Sequence, residues 1–153
     1  MLALAASVVT GGSAATAQDD LRWIFDAAPP DFASLLYALP ESDFIALGFD
    51  CVAGRDGIGI NFDHRPVGAT DGMTIFMELF SAVGQLSVTA TGYTLELSDA
   101  FILSATTPIG GPLLTILSGG QVLNIMVQDG VDEIPLPDIE ALTAFADACE
   151  TIF

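Results

Sequence analysis

Only two cysteines occur in the 153 residues, and they lie on apolar patterns of different period. In "SDFIALGFDC", Ile45, Leu47, Phe49 and Cys51 fall on alternate positions. Successive strand side chains point to opposite sides, so these four share one face of a strand. In "PDIEALTAFADACE", Ile139, Leu142, Phe145 and Cys149 recur every three or four residues, the spacing that gathers side chains on one face of a helix. Asp138 is placed to cap that helix, directly after Pro137. Each thiol therefore points inward with the apolar side of its element. A Cys51–Cys149 disulfide would staple the terminal helix onto the sheet. Closing so long a loop contributes about 4–5 kcal/mol in the chain-entropy model.

Whether the thiols pair depends on the compartment. Residues 1–17, "MLALAASVVTGGSAATA", run from an apolar stretch into small and polar residues and end in Ala15-Thr16-Ala17. That small-x-small ending suits the pocket of signal peptidase, which predicts a signal peptide over 1–17 and a mature chain from Gln18. The basic start usual for such a segment is missing, since no Lys or Arg precedes Arg22. Export to the periplasm or the medium is an oxidising route, where two thiols in one small domain pair. Cys149 then reads as structural. A reactive thiolate would need basic neighbours, and none lies near it in sequence.

Residues 18–153 read as a single β-rich domain, long enough to bury a core. Alternating or β-branched patterns mark strands at 43–51, "IGINF", "MTIFMELFSA", "LSVTATGYTLELS", "AFILSAT" and "QVLNIMVQ". Gly92 interrupts the fourth of these and predicts a bulge or a division into two. "AGRDG" is a tight turn, and short turns between consecutive strands predict antiparallel pairing. An irregular lead-in anchored by Trp23 and Phe25 is expected before a short helix from Asp31 through Tyr37. "GPLLTILSGG" predicts a second short helix, with Pro112 in its first turn. "DGVDEIPLPD" reads as a loop. The expected fold is mainly β (α+β): an antiparallel, sandwich-like sheet of six or seven strands, a short N-terminal helix, and a C-terminal helix disulfide-linked to the sheet.

Charge narrows the partners. Twenty acids face three basic residues, for a net charge of −17. Nucleic acid is excluded, because phosphates are held by Lys and Arg, and an anionic membrane surface would repel the chain. The acids are spread along the sequence, which favours a solubility adaptation over a dedicated acidic face. Residues 100–128 carry no charge and are long enough to span a bilayer. Pro108, Gly110, Gly111, Pro112, Gly119 and Gly120 cut that stretch into short pieces, and no basic residue flanks it, so no transmembrane segment is expected in the mature chain.

The segment "LLYALPESDFIALGFDC" resembles a group of small exported bacterial proteins in which a Tyr and a Pro-Glu-Ser/Thr-Asp element precede a strand ending in Cys. Tyr37, Pro40-Glu41-Ser42-Asp43 and Cys51 match that part. Ile134-Pro135-Leu136, Ala141-Leu142, Phe145 and Cys149 match the group's C-terminal helix. The resemblance implies an exported, disulfide-linked domain and no particular activity. Pro40 to Asp43 read as structural: Pro40 stops a helix, and Ser42 or Asp43 bonds the turn backbone.

Motifs of chemistry are sparse. His64, the single histidine, lies in "NFDHRP" without a Gly-x-Ser-x-Gly elbow, so Asp63-His64-Arg65 reads as a solvated loop. Asp129, Asp132 and Glu133 form the best acidic cluster but lack calcium-loop spacing, and read as a solvated turn. A zinc site would need more His or Cys than remain beside the disulfide. The glycine pairs lack a phosphate-loop pattern. Glu78 and Glu96 interrupt apolar strand patterns and would acquire interest if they pointed into the core. No catalytic, cofactor-binding or metal residue is assigned; the assigned pair is the disulfide, Cys51 and Cys149. The expected function is an exported, non-catalytic binding or accessory domain for an envelope protein or a small ligand. The alternative is a small exported hydrolase using carboxylates.

Overall fold

Strand alternation sets the sheet, and every pairing is antiparallel. The computed structural model describes residues 20–153; the expected signal segment, 1–17, lies outside the described residues. Nine strands and two helices follow in order: β1 (Arg22–Ala28), β2 (Phe32–Ala38), β3 (Ile45–Val52), β4 (Ile58–Asp63), β5 (Thr74–Ser81), β6 (Gly84–Thr94), β7 (Phe101–Thr107), α1 (Leu113–Leu117), β8 (Val122–Val127), β9 (Gly130–Pro135) and α2 (Ile139–Ile152). The strands form one sheet in the order β1-β2-β3-β4-β7-β6-β5-β8-β9.

This sheet is curled, not a sandwich. One face of each central strand is apolar: Leu35 on β2, Phe49 on β3, Ile60 on β4, Leu103 on β7, Met77 on β5 and Ile125 on β8 are all fully buried. These faces turn inward onto one shared core, into which α1 adds Leu113 and Ile116, and α2 adds Leu142 and Phe145. Across the curl, the Trp23 indole N–H on β1 donates to the Pro135 carbonyl on β9 over 2.6 Å. The first and last strands of the sheet order therefore meet. Alternation dictates which face of a strand is apolar, but not whether that face meets a second sheet or the far side of its own.

Three expected non-strand segments are strands. The lead-in and the expected 31–37 helix form the β1–β2 hairpin, closed by Asp31 N–H to Ala28 O at 3.0 Å around Pro29-Pro30. Tertiary pairing overrides helical propensity here, because β2 is hydrogen-bonded on both sides and packed beneath α2. Pro40 accordingly ends a strand, not a helix. "GVDEIP" forms β9, paired with β8 along its whole length. Only Ile134 of β9 is buried, so its sequence carries no apolar alternation. Gly92 makes no bulge: β6 runs unbroken, and a Cβ at 92 would sit 2.5 Å from the Phe101 ring. The glycine marks close approach of backbone and ring. The uncharged 100–128 stretch is divided among β7, α1 and β8, and among the described residues no helix is long and apolar enough to cross a membrane.

The disulfide links β3 to α2, with the Cys51 and Cys149 Cα atoms 5.5 Å apart and both residues fully buried. Asp138 caps α2, its Oδ1 accepting the Ala141 N–H at 2.8 Å. Ile139 sits at the first helical position and is 65% exposed, so it does not join Leu142, Phe145 and Cys149 on the buried face. Beside the staple, Trp23 stacks on Phe49 with centroids 6.1 Å apart and tilts against Tyr37 at 5.4 Å.

Replacing both cysteines by alanine is expected to lower unfolding stability by about 4 kcal/mol. The α2 amides should lose hydrogen-exchange protection first. An unchanged denaturation midpoint would show that packing alone holds α2.

Candidate functional site

The inner face is packed with core side chains, and the first hollow to consider lies on the outer face. Outward residues of neighbouring strands stand in rows: Leu36, Gly48 and Asn61 on β2, β3 and β4, then Asp63, Ile102 and Tyr93 on β4, β7 and β6. These rows floor a groove of about 590 Å³. One wall is the β2–β3 turn, with Asp43, Phe44 and Ile45; the other is the β6–β7 turn, with Leu95, Ser98, Asp99 and Ala100.

Local sequence makes the hollow. The register slips between Tyr37 and Ala38, whose partners are Leu47 and Ile45, so Ala46 is an extra residue on β3. A bulge of this kind re-aims the neighbouring side chain. Ile45 therefore leaves the inward set of Leu47, Phe49 and Cys51 and lines the groove, 39% exposed. Gly48 leaves the middle of the floor low; a Cβ there would lie 2.9 Å from Leu36 Cδ2. In the turn, the Ser42 hydroxyl donates to Leu39 O at 2.9 Å and accepts the Phe44 N–H at 3.1 Å, the structural role expected for this element. The segment that carries the resemblance thus supplies Leu36, Asp43, Phe44, Ile45, Gly48 and Asp50 to the groove.

The groove is acidic as well as apolar. Asp43, Asp50, Asp63 and Asp99 line it, and no basic side chain does so among the described residues. Two of these acids are engaged nearby. Asp50 pairs with Arg55 and accepts weakly from Asn61 Nδ2 at 3.4 Å. Asp99 lies 3.7 Å from Arg65, which also donates to the Asp99 carbonyl at 2.8 Å. The Asp43 and Asp63 carboxylates take no hydrogen bond or ion pair among the described residues. Asp63 is half-buried, and burial raises its pKa above the ordinary value; attraction to His64 and then Arg65 works against that rise.

Phe44 and Asp63 also border a second cleft of about 420 Å³ at the seam, where Leu21, His64, Asp132 and Ile134 come together. His64 is no solvated loop residue. Its ring stacks on Phe62 at 5.3 Å, Nε2 lies 2.9 Å from Asp129 Oδ1, and Nδ1 lies 3.2 Å from Asp132 Oδ2. Asp129 Oδ2 also accepts the Val67 N–H at 3.1 Å. The acidic turn therefore clasps the β8–β9 hairpin to the segment after β4. The His64 hydrogen bond, with help from the Val67 N–H, holds the Asp129 carboxyl below its ordinary pKa. Among the described residues no cluster of His, Cys, Asp or Glu side chains is arranged to hold a metal ion. Glu78 faces outward on β5 between Phe76 and Phe80, and Glu96 is exposed in the β6–β7 turn; neither lines the groove or the seam cleft.

No protein-family model matches the chain, and neither does any curated protein or solved structure. Sequence reading placed Ile45 with the core strand and Asp63 in a loop, and missed the groove. One signal was present: Tyr93 and Ile102 are apolar at outward positions of their strands, where a solvent-facing sheet would carry polar residues.

The depressed Asp129 pKa has a pH consequence. Its stabilisation is full above the ordinary carboxylate value of about 4 and is lost as pH falls through the lower folded value. Asp129→Asn is expected to melt below wild type at pH 7, with the gap closing as pH drops below about 4. Thermal melts across that range check it; a gap that persists at the acid end would contradict the clasp.

Proposed function

We propose that this chain is an exported, non-catalytic binding domain that takes a small ligand in the outer groove. The carrying observation is the groove itself, whose volume of about 590 Å³ lies within the range of small-molecule sites, roughly 300–1,000 Å³. Its floor and walls mix apolar side chains with a few polar groups, as such sites do. Leu36, Ile45, Tyr93 and Ile102 offer apolar contact, and the site rests mainly on strands held by paired neighbours, which lowers the cost of ordering it on binding. Export is proposed on the Ala15-Thr16-Ala17 ending together with the Cys51–Cys149 bond.

A carboxylate-dependent hydrolase has weaker support. Burial raises the Asp63 pKa, the direction a general acid needs, but cleavage needs a second carboxylate free to work opposite it. Asp50, also on the floor side, is tied to Arg55.

The test is titration with 4-phenylbutanol, an uncharged aromatic probe small enough to enter the groove, followed by calorimetry or by chemical shifts of the groove amides. One saturable site is expected, with shifts at Gly48, Asn61 and Ile102. Ala100→Trp, which fills the groove from its wall, should abolish binding while leaving the melting temperature nearly unchanged. No saturable binding, or binding that survives Ala100→Trp, would overturn the reading.

A further inference from the structure

Resting on that reading, we infer that the ligand is an amphipathic cation: an apolar body seated over Leu36, Gly48 and Ile102, with an ammonium group held by the Asp63 carboxylate and the Phe44 and Tyr93 rings. Three observations carry this. First, the charged side chains that line the groove are all acidic. Four carboxylates line it without a basic side chain, and the arginines that neutralise Asp50 and Asp99 do so from outside its lining. Second, Asp63 is a half-buried carboxylate whose oxygens take no partner among the described residues. A charge in that state has lost hydration and, beyond the attraction of His64 and Arg65, has gained no direct ion pair or hydrogen bond; a bound cation would supply one. Third, Phe44 is 46% exposed and Tyr93 39% exposed, and both line this groove. Ring faces attract ammonium groups, and exposed aromatics in a concave acidic site suit a positive headgroup better than a neutral one. An anionic ligand would meet only repulsion here.

The choice of a small molecule over a basic peptide follows from the shape. The hollow is bounded by the β2–β3 turn on one side and the β6–β7 turn on the other.

The test compares three probes sharing one apolar body: 4-phenylbutylammonium, 4-phenylbutanol and 4-phenylbutyrate, titrated at pH 7 and 0.15 M salt to screen the overall negative charge. The ammonium is expected to bind about tenfold more tightly than the alcohol, a gain of about 1.4 kcal/mol, and the carboxylate should not bind. Asp63→Asn should bring the ammonium down to the affinity of the alcohol and leave the alcohol unchanged. Asp147→Asn, exposed on α2, removes the same charge elsewhere and should change neither. The ammonium preference should also fade on acidification, as Asp63 takes up its proton. Equal affinities for ammonium and alcohol in the wild type would overturn the cation inference and leave the binding reading standing. Absence of binding by all three would overturn both. A preference that persists in Asp63→Asn, or in Ala100→Trp, would reveal attraction by net charge alone and overturn the inference. Capture of a Lys-rich peptide without any binding of the small amine would overturn the small-molecule class.

Discussion

The bond between Cys51 and Cys149 decides what the inner face of the sheet can do. It joins β3, near the middle of the β1–β4 half, to α2, and so holds the helix's apolar side over that half. Once α2 is seated, Leu142 and Phe145 fill the concave side with Phe49 and Leu35, while α1 does the same beside β5 and β6. A curled sheet plugged by two helices has its inner face covered by packed apolar side chains. In the chain-entropy view, the long closed loop lowers the cost of bringing the last helix back to the third strand. Two lighter contacts finish the closure. Trp23 reaches the Pro135 carbonyl, and His64 with Val67 grips Asp129.

The groove proposed to bind a ligand lies on the convex face. A solvated antiparallel face normally carries polar residues in simple alternation. Here the alternation is broken twice. The extra residue at Ala46 turns Ile45 outward, and Gly48 removes the side chain that would otherwise fill the floor. The two bordering turns then raise walls around the depression. Asp99 in one of them takes a left-handed backbone, φ 56°, and is held there by Arg65 through its carbonyl. The scarcity of basic residues gives the groove its sign: with Arg55 paired to Asp50 and Arg65 to Asp99, the Asp43 and Asp63 carboxylates have no ion pair among the described residues.

Much of this was legible in the sequence where one physical rule acted alone. Alternating or β-rich patterns located β3, β4, β5, β7 and β8, and helical spacing with an Asp cap located α2. The position of each cysteine on the inward side of its element predicted the staple. Reading failed where rules competed. "DFASLLYA" has helical signals but is claimed by two strand neighbours, and "GVDEIP" is a strand whose exposure hides its period. The groove was invisible for a related reason. It is assembled from five strands and two turns, and its key step, the bulge at Ala46, depends on a register no single segment encodes. Asp63 looked like a loop residue because its significance comes from Ile102 and Tyr93 beside it in space.

The most direct test of a stapled, exported domain is the intact mass of the natively expressed protein, alkylated with and without prior reduction. The account predicts a chain beginning at Gln18 that takes up no alkylating agent until reduced, then takes up two equivalents. A chain beginning at Met1 with both thiols alkylated before reduction would contradict it: the signal segment would be unprocessed, and α2 would be held by packing alone.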